Sequence, residues 1–91
     1  MLQIEITWLV EDERAAYVFE VELISGHKYT VCFSDEYYEK LTSGTVEPEE
    51  LVRRSFEFLL EREGPEAILP EFELPTIQRY FADYEQTVKF K

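Results

Sequence analysis

Hydrophobic and polar residues alternate one for one at the start of the chain, and only later switch to a period near four. Leu2, Ile4, Ile6, Trp8 and Val10 alternate with Gln3, Glu5 and Thr7, the two-residue period of a strand with one buried face. After a polar break at Glu11-Asp12-Glu13-Arg14, a second run sets Ala15, Tyr17, Phe19, Val21 and Leu23 against Glu20 and Glu22. Ser25-Gly26-His27 reads as a turn, beyond which Tyr29, Val31 and Phe33 alternate with Lys28, Thr30 and Cys32. A four-residue loop at 11–14 and a three-residue loop at 25–27 are common hairpin lengths, the second with a glycine for a left-handed position. They oppose Val10 with Ala15, Trp8 with Tyr17, Ile6 with Phe19, Ile4 with Val21, then Leu23 with Tyr29, Val21 with Val31 and Phe19 with Phe33. The expectation is a three-stranded antiparallel meander with its apolar side chains on one face.

The second half is helical. Pro48 suits a first helical position and Glu49 and Glu50 suit the positive end of the helix dipole. Gly64-Pro65 then offers a left-handed stop and a residue that cannot continue a helix. Between them Val52, Ser55, Phe56, Leu59 and Leu60 make one stripe, and the pairs Glu49–Arg53 and Glu50–Arg54 stand four apart. Leu51 and Phe58 widen the apolar arc to about 200°, twice the ~100° minimum of a surface helix. Either the C-terminal helices cover that flank or a second copy does, which makes Leu51 and Phe58 a candidate helix-contact or homodimer surface. Before this helix, Ser34 is placed to cap a short one carrying Asp35, Glu36, Tyr37, Tyr38 and Leu41. After it come a turn or two at 66–69, linker anchors at Phe72 and Leu74, and a last helix from Pro75 with Ile77, Tyr80, Phe81 and Tyr84 on one face. The last six residues either fray or, through Thr87-Val88-Lys89-Phe90, add an edge strand.

The fold class is therefore α+β: a β-meander over 1–34, three or four helices packed on one sheet face over 35–85, and a tail at 86–91, in a single domain of 91 residues.

Composition narrows the chemistry. An apolar fraction of 45% and an aromatic fraction of 15% fit a folded globule rather than a disordered tail. A net charge of −11 argues against direct nucleic-acid binding, which needs clustered cations, and against anionic membrane surfaces. A basic protein partner suits it better. One cysteine excludes an internal disulfide and fits a cytoplasmic setting. The opening MLQIEITWLVEDE has neither the basic start nor the unbroken apolar core of a signal peptide, and no apolar run approaches the ~18 residues of a membrane span.

The stretches SDEYYEKLTSGTVEPEELVRRSFEFLLERE and AILPEFELPTIQRYFADYE resemble a family of small uncharacterised bacterial and archaeal proteins with a PEELV helix opening, an SFEFLLERE helix and an RYF-x-x-YE ending. The resemblance spans roughly residues 28–85 and is carried by structural residues. It implies the fold and a prokaryotic source, and no activity. Ala82 stands where a proline would follow RYF.

Catalytic chemistry has little to work with. His27 is the single histidine and lies in a turn, with no second group set to share acid–base work. Cys32 among carboxylates has its thiolate disfavoured, the reverse of an activated nucleophile. No glycine-rich phosphate loop is present, and no cofactor or catalytic residue is assigned. On the open sheet face the proposed registers bring Glu5 beside Glu20, with Cys32 beyond Glu20 and with Gln3, Glu22 and Thr30 in the next row. Like charges opposed across strands are unfavourable, and a basic partner would relieve them, so Glu5, Glu20 and Glu22 form the candidate partner-binding face. The C-terminal aromatics Tyr80, Phe81 and Tyr84 read as core or, with Phe72, as a recognition surface. The functional expectation is a small acidic, non-enzymatic interaction or regulatory protein. Its alternatives are an acidic nucleic-acid mimic that occupies a DNA-binding cleft, and a small metal binder or enzyme built on Glu5, Glu20 and Glu22.

Overall fold

The structure, a computed structural model, describes residues 4–10 and 17–89. Strands β1 (Ile4–Val10), β2 (Tyr17–Leu23) and β3 (Lys28–Phe33) form the antiparallel meander, and helices α1 (Asp35–Thr42) and α2 (Pro48–Arg62) follow. A 3-10 turn (Pro65–Ala67), a short strand β4 (Glu71–Glu73) and helices α3 (Pro75–Tyr80) and α4 (Tyr84–Val88) complete it. The fold is α+β, with helices packed on one sheet face. β4 lies parallel to β3 at the edge of a four-stranded sheet of order β1-β2-β3-β4. Parallel neighbours need a long crossover, which α1 and α2 supply. β4 replaces the linker expected around Phe72.

Both hairpin registers differ from the proposed ones by two residues. In a three-residue loop the left-handed residue comes last, so Gly26, at φ +96°, closes a loop of 24–26 rather than sitting inside one of 25–27. The Leu23 amide then donates to the His27 carbonyl at 2.9 Å, Phe19 faces Val31, and Tyr17 faces Phe33. On the other side Ile4 faces Leu23, Ile6 faces Val21 and Trp8 faces Phe19, with a bulge between Trp8 and Val10 that adds a residue to β1. Leu2, Gln3, Ala15 and the 11–14 loop lie outside the described residues. A shift of two preserves the faces, because side chains repeat every second residue. Phe19, Val21, Val31 and Phe33 are accordingly buried on the helix side as expected.

α1 has its Ser34 cap, whose Oγ accepts from the Tyr37 amide at 3.1 Å. α2 starts on Pro48 and buries Leu51, Val52, Phe56, Phe58 and Leu59. It lies across β1 and β2 and packs on α1 and α4. Its end differs from expectation: Glu63 and Gly64 are both at negative φ, so no left-handed glycine stops it. Arg53 pairs with Glu50, three residues back, at 3.8 Å. The last helix is two short ones. The Gln78 side chain spans the break, donating to the Ala82 carbonyl at 2.6 Å and accepting the Glu85 amide at 2.9 Å. Arg62 holds Asp83 in the same turn at 2.9 Å. Val88 is buried inside α4, so residues 87–88 are helix rather than edge strand or frayed tail; Phe90 lies outside the described residues.

Candidate functional site

Two surfaces stand out, one polar and one apolar. The polar one is the sheet face that the helices leave open. β1 contributes Glu5 and Thr7, β2 contributes Val18, Glu20 and Glu22, and β3 contributes Lys28, Thr30 and Cys32. β4 adds Glu71 beside Thr30 and Glu73 beside Cys32. All of these side chains are exposed or half-buried. The corrected register changes the neighbours: Glu5 faces Glu22 rather than Glu20, with Lys28 on the far side of Glu22. Glu20 stands between Thr7 and Thr30, and Cys32 faces Val18 rather than Glu20. The directly opposed glutamates thus share a row with a cation. Five carboxylates and one lysine occupy this face among the described residues. Two of the five, Glu71 and Glu73, carry no strand signal in the sequence, because three residues are too few to show a two-residue period.

The second surface is a cavity of about 410 Å³ between the end of α2, the segment before β4, β4 itself and α3. Leu59, Ile68, Phe72, Ile77, Tyr80 and Phe81 line it, with Glu63 as its acidic group. Tyr80 is 71% and Leu69 52% exposed at this site. The expected aromatic face has therefore split: Tyr84 is buried in the core, Phe72 and Phe81 are half-buried at the cavity, and Tyr80 stands in solvent.

The flank of α2 is covered within one copy. Leu51 is 0% and Phe58 3% exposed within one copy. The Phe58 ring meets Phe81 at 5.8 Å and Tyr84 at 5.3 Å, both edge-on, and the Arg62 guanidinium lies 3.7 Å from its centroid. The wide apolar arc is covered by the chain's own C-terminal helices, which removes the observation that suggested a homodimer there.

A run of polar contacts, exposed at Lys40 and buried at Ser55, ties α4 to α1 and α2. Lys40 pairs with Glu85 at 3.2 Å, and the Tyr37 hydroxyl donates to the same carboxylate at 3.0 Å. Tyr84 shares a 2.6 Å hydrogen bond with Ser55, whose hydroxyl also lies 2.8 Å from the Leu51 carbonyl. Burial first, then the neighbouring Tyr84 and Glu85, push the Tyr37 phenol far above its ordinary value. Burial likewise raises Tyr84, against the lowering effect of Ser55. Both are locked as neutral hydrogen-bonding groups, a structural role. The consequence for stability has a definite sign. Above about pH 10 the tyrosines of the unfolded chain lose protons that the folded chain retains, so the unfolded state gains. Stability is full below about pH 10 and falls as the pH rises further. Melting curves between pH 8 and 11 test this: the midpoint should hold and then drop, and Tyr84→Phe should remove part of the drop. A midpoint unchanged to pH 11 in the native chain would contradict it.

His27 is exposed in the β2–β3 turn, its Nδ1 2.7 Å from the Ser25 hydroxyl. Trp8, 43% exposed, stacks on Phe19 at 5.6 Å and lies 5.5 Å from Tyr17. Among the described residues no three His, Cys, Asp or Glu side chains converge as a metal ion requires, and no helix is long and apolar enough to cross a membrane. Comparison with known proteins finds no matching family model, no matching curated protein and no matching solved structure.

Proposed function

We propose that this chain is a small acidic interaction protein that receives a basic protein surface on its open sheet face. One observation carries the reading: Glu5, Glu20, Glu22, Glu71 and Glu73 share a solvent-facing sheet surface on which Lys28 is the single described cation. Opposed like charges such as Glu5 and Glu22 destabilise the free sheet, and a partner's lysines or arginines relieve that cost on binding. The net charge of −11 extends the same field over the whole molecule, and such a field speeds encounter and selects partners more than it adds affinity. The carboxylates lie on three of the four strands, β1, β2 and β4, a patch rather than a row along one line, which suits a protein surface better than a mimic of a phosphate backbone.

Affinity capture tests it. Tagged wild type and the triple variant Glu5→Gln/Glu20→Gln/Glu22→Gln are exposed to a lysate of the source organism, washed at low and then high salt, and the eluates identified by mass spectrometry. A basic protein held by the wild type at low salt, released at high salt and not held by the variant is the expected result. Equal retention by the variant, or release that ignores salt, would overturn the assignment of this face.

A further inference from the structure

We propose that the outer edge of β4, together with the cavity beneath it, is a docking groove for an extended basic segment whose alternate side chains are apolar. The proposal rests on the basic-partner reading and specifies how such a partner is held.

The backbone comes first. β4 bonds to β3 through the Pro70 carbonyl, which accepts from Thr30 at 2.8 Å, and the Leu74 amide, which donates to Cys32 at 3.0 Å. Along a strand these groups alternate sides. Glu71 and Glu73 therefore turn their amides and carbonyls away from β3, and no described residue bonds to them. An added strand can pair there, a recurring mode of peptide recognition. The cavity supplies the second observation. Phe72, on the covered face of β4, is the one strand residue in its lining, so the cavity opens under this edge and not under the sheet centre. A strand laid along β4 sends every second side chain toward that side. At about 410 Å³ the cavity falls within the roughly 300–1,000 Å³ of ligand-accepting pockets. Its Leu59, Ile68 and Ile77 walls are apolar, and the flanking Leu69 and Tyr80 are exposed large hydrophobic residues.

Charge decides the occupant. The intervening side chains of an added strand fall on the open face beside Glu71 and Glu73, and the cavity itself carries Glu63, which has no ion-pair partner among the described residues. No lysine or arginine lines the cavity. Glutamates on an edge strand repel a second copy of a chain with net charge −11 and so block self-pairing. The same charges favour a basic strand, which is discrimination by repulsion as well as attraction.

The test uses two labelled peptides of one composition, an alternating Lys-Val-Lys-Phe-Lys-Val-Lys and a block-ordered isomer, titrated into the intact protein by fluorescence polarisation and amide NMR. The alternating peptide should bind about tenfold or more tightly than its isomer and shift the amides of residues 63, 69, 71–73 and 76–81. Glu73→Gln should weaken it a few-fold, whereas Glu73→Pro, which removes an outward amide and spares the bonds to β3, should abolish it. Tyr80→Lys, at a side chain 71% exposed, repels the same peptide and serves if Glu73→Pro does not fold. Equal binding of both peptides, lost in the Glu5/Glu20/Glu22 triple variant, would sink the groove and leave the open face standing. Binding that survives Glu73→Pro would make the cavity a pocket for an apolar ligand instead, and self-association abolished by Glu73→Pro would make the occupant a second copy. Absence of binding by either peptide at millimolar concentration rejects the groove, while the face is judged separately by its capture experiment.

Discussion

Replacing Tyr84 with alanine should cost about 3–5 kcal/mol, the range for removing a large buried aromatic. A domain of this size has a total stability of roughly 5–15 kcal/mol, so the variant should be near the edge of folding at room temperature. The ring is fully buried and packs edge-on against Phe58 at 5.3 Å. It is the first residue of α4, a helix of five residues that has too few internal hydrogen bonds to persist alone. Tyr84, one of its two buried side chains, holds it to α2 through Phe58 and Ser55. Losing the ring also uncovers the flank formed by Leu51 and Phe58. Tyr84→Phe separates packing from the hydroxyl. It removes the bond to Ser55, but the Ser55 hydroxyl keeps the Leu51 carbonyl 2.8 Å away, so no buried donor is stranded and the cost should be about 1 kcal/mol. Urea melts of the three proteins check both figures. If Tyr84→Ala melts within about 1 kcal/mol of the wild type, outside the range for buried aromatics, the C-terminal helices do not cover α2, and the exposed arc of Leu51 and Phe58 would become available to a second copy.

The way α4 reaches its place also marks where sequence reading runs out. Ile77, Tyr80, Phe81 and Tyr84 have the spacing of one helical face, and the periodicity suggests a single helix. The chain instead breaks after Tyr80. Ile77 and Tyr84 remain in the core while Tyr80 rotates into solvent. What stabilises the break is a Gln78 side chain bonded across it and an ion pair from Arg62, contacts from residues that carry no local signal. By contrast the meander was legible, since alternation over several residues specifies a face whatever the register. Glu5, Glu20 and Glu22 were therefore placed on the open side even though their neighbours were not. The neighbours depend on the position of Gly26 within its loop and on a bulge in β1, both local backbone events that a period of two does not encode. The wide arc of α2 was legible as an excess of apolar surface, and its cover by the chain itself was one of the two readings open to it. The cavity was legible only in its aromatics, since Phe72, Tyr80 and Phe81 were open to reading as a recognition surface; its walls come from α2, β4 and α3, which only the packing brings together.

β4 was the largest omission, and it makes the most discriminating prediction. Three residues, Glu71-Phe72-Glu73, bracketed by Pro70 and Pro75, are too few to show a period, and a parallel partner some forty positions earlier leaves no local trace. If the strand is paired as described, proline should be tolerated by parity. At Phe72 the backbone faces β3 and the side chain faces the helices, so Phe72→Pro removes a ladder donor, strands the Thr30 carbonyl and deletes a half-buried ring that meets Phe56 at 6.0 Å. The unsatisfied acceptor costs about 1–3 kcal/mol, and the lost apolar surface adds about 1–2 kcal/mol. At Glu73 the amide points outward and the side chain is exposed, so Glu73→Pro should change stability by less than about 1 kcal/mol, as edge positions allow. Chemical denaturation of the two variants compares adjacent residues in the same strand. Equal losses would mean that 71–73 is an ordinary loop, and the two glutamates it adds to the open face would lose their fixed place beside Thr30 and Cys32. Unequal losses in the stated order would fix the register of β4, and with it the outward edge on which strand addition depends.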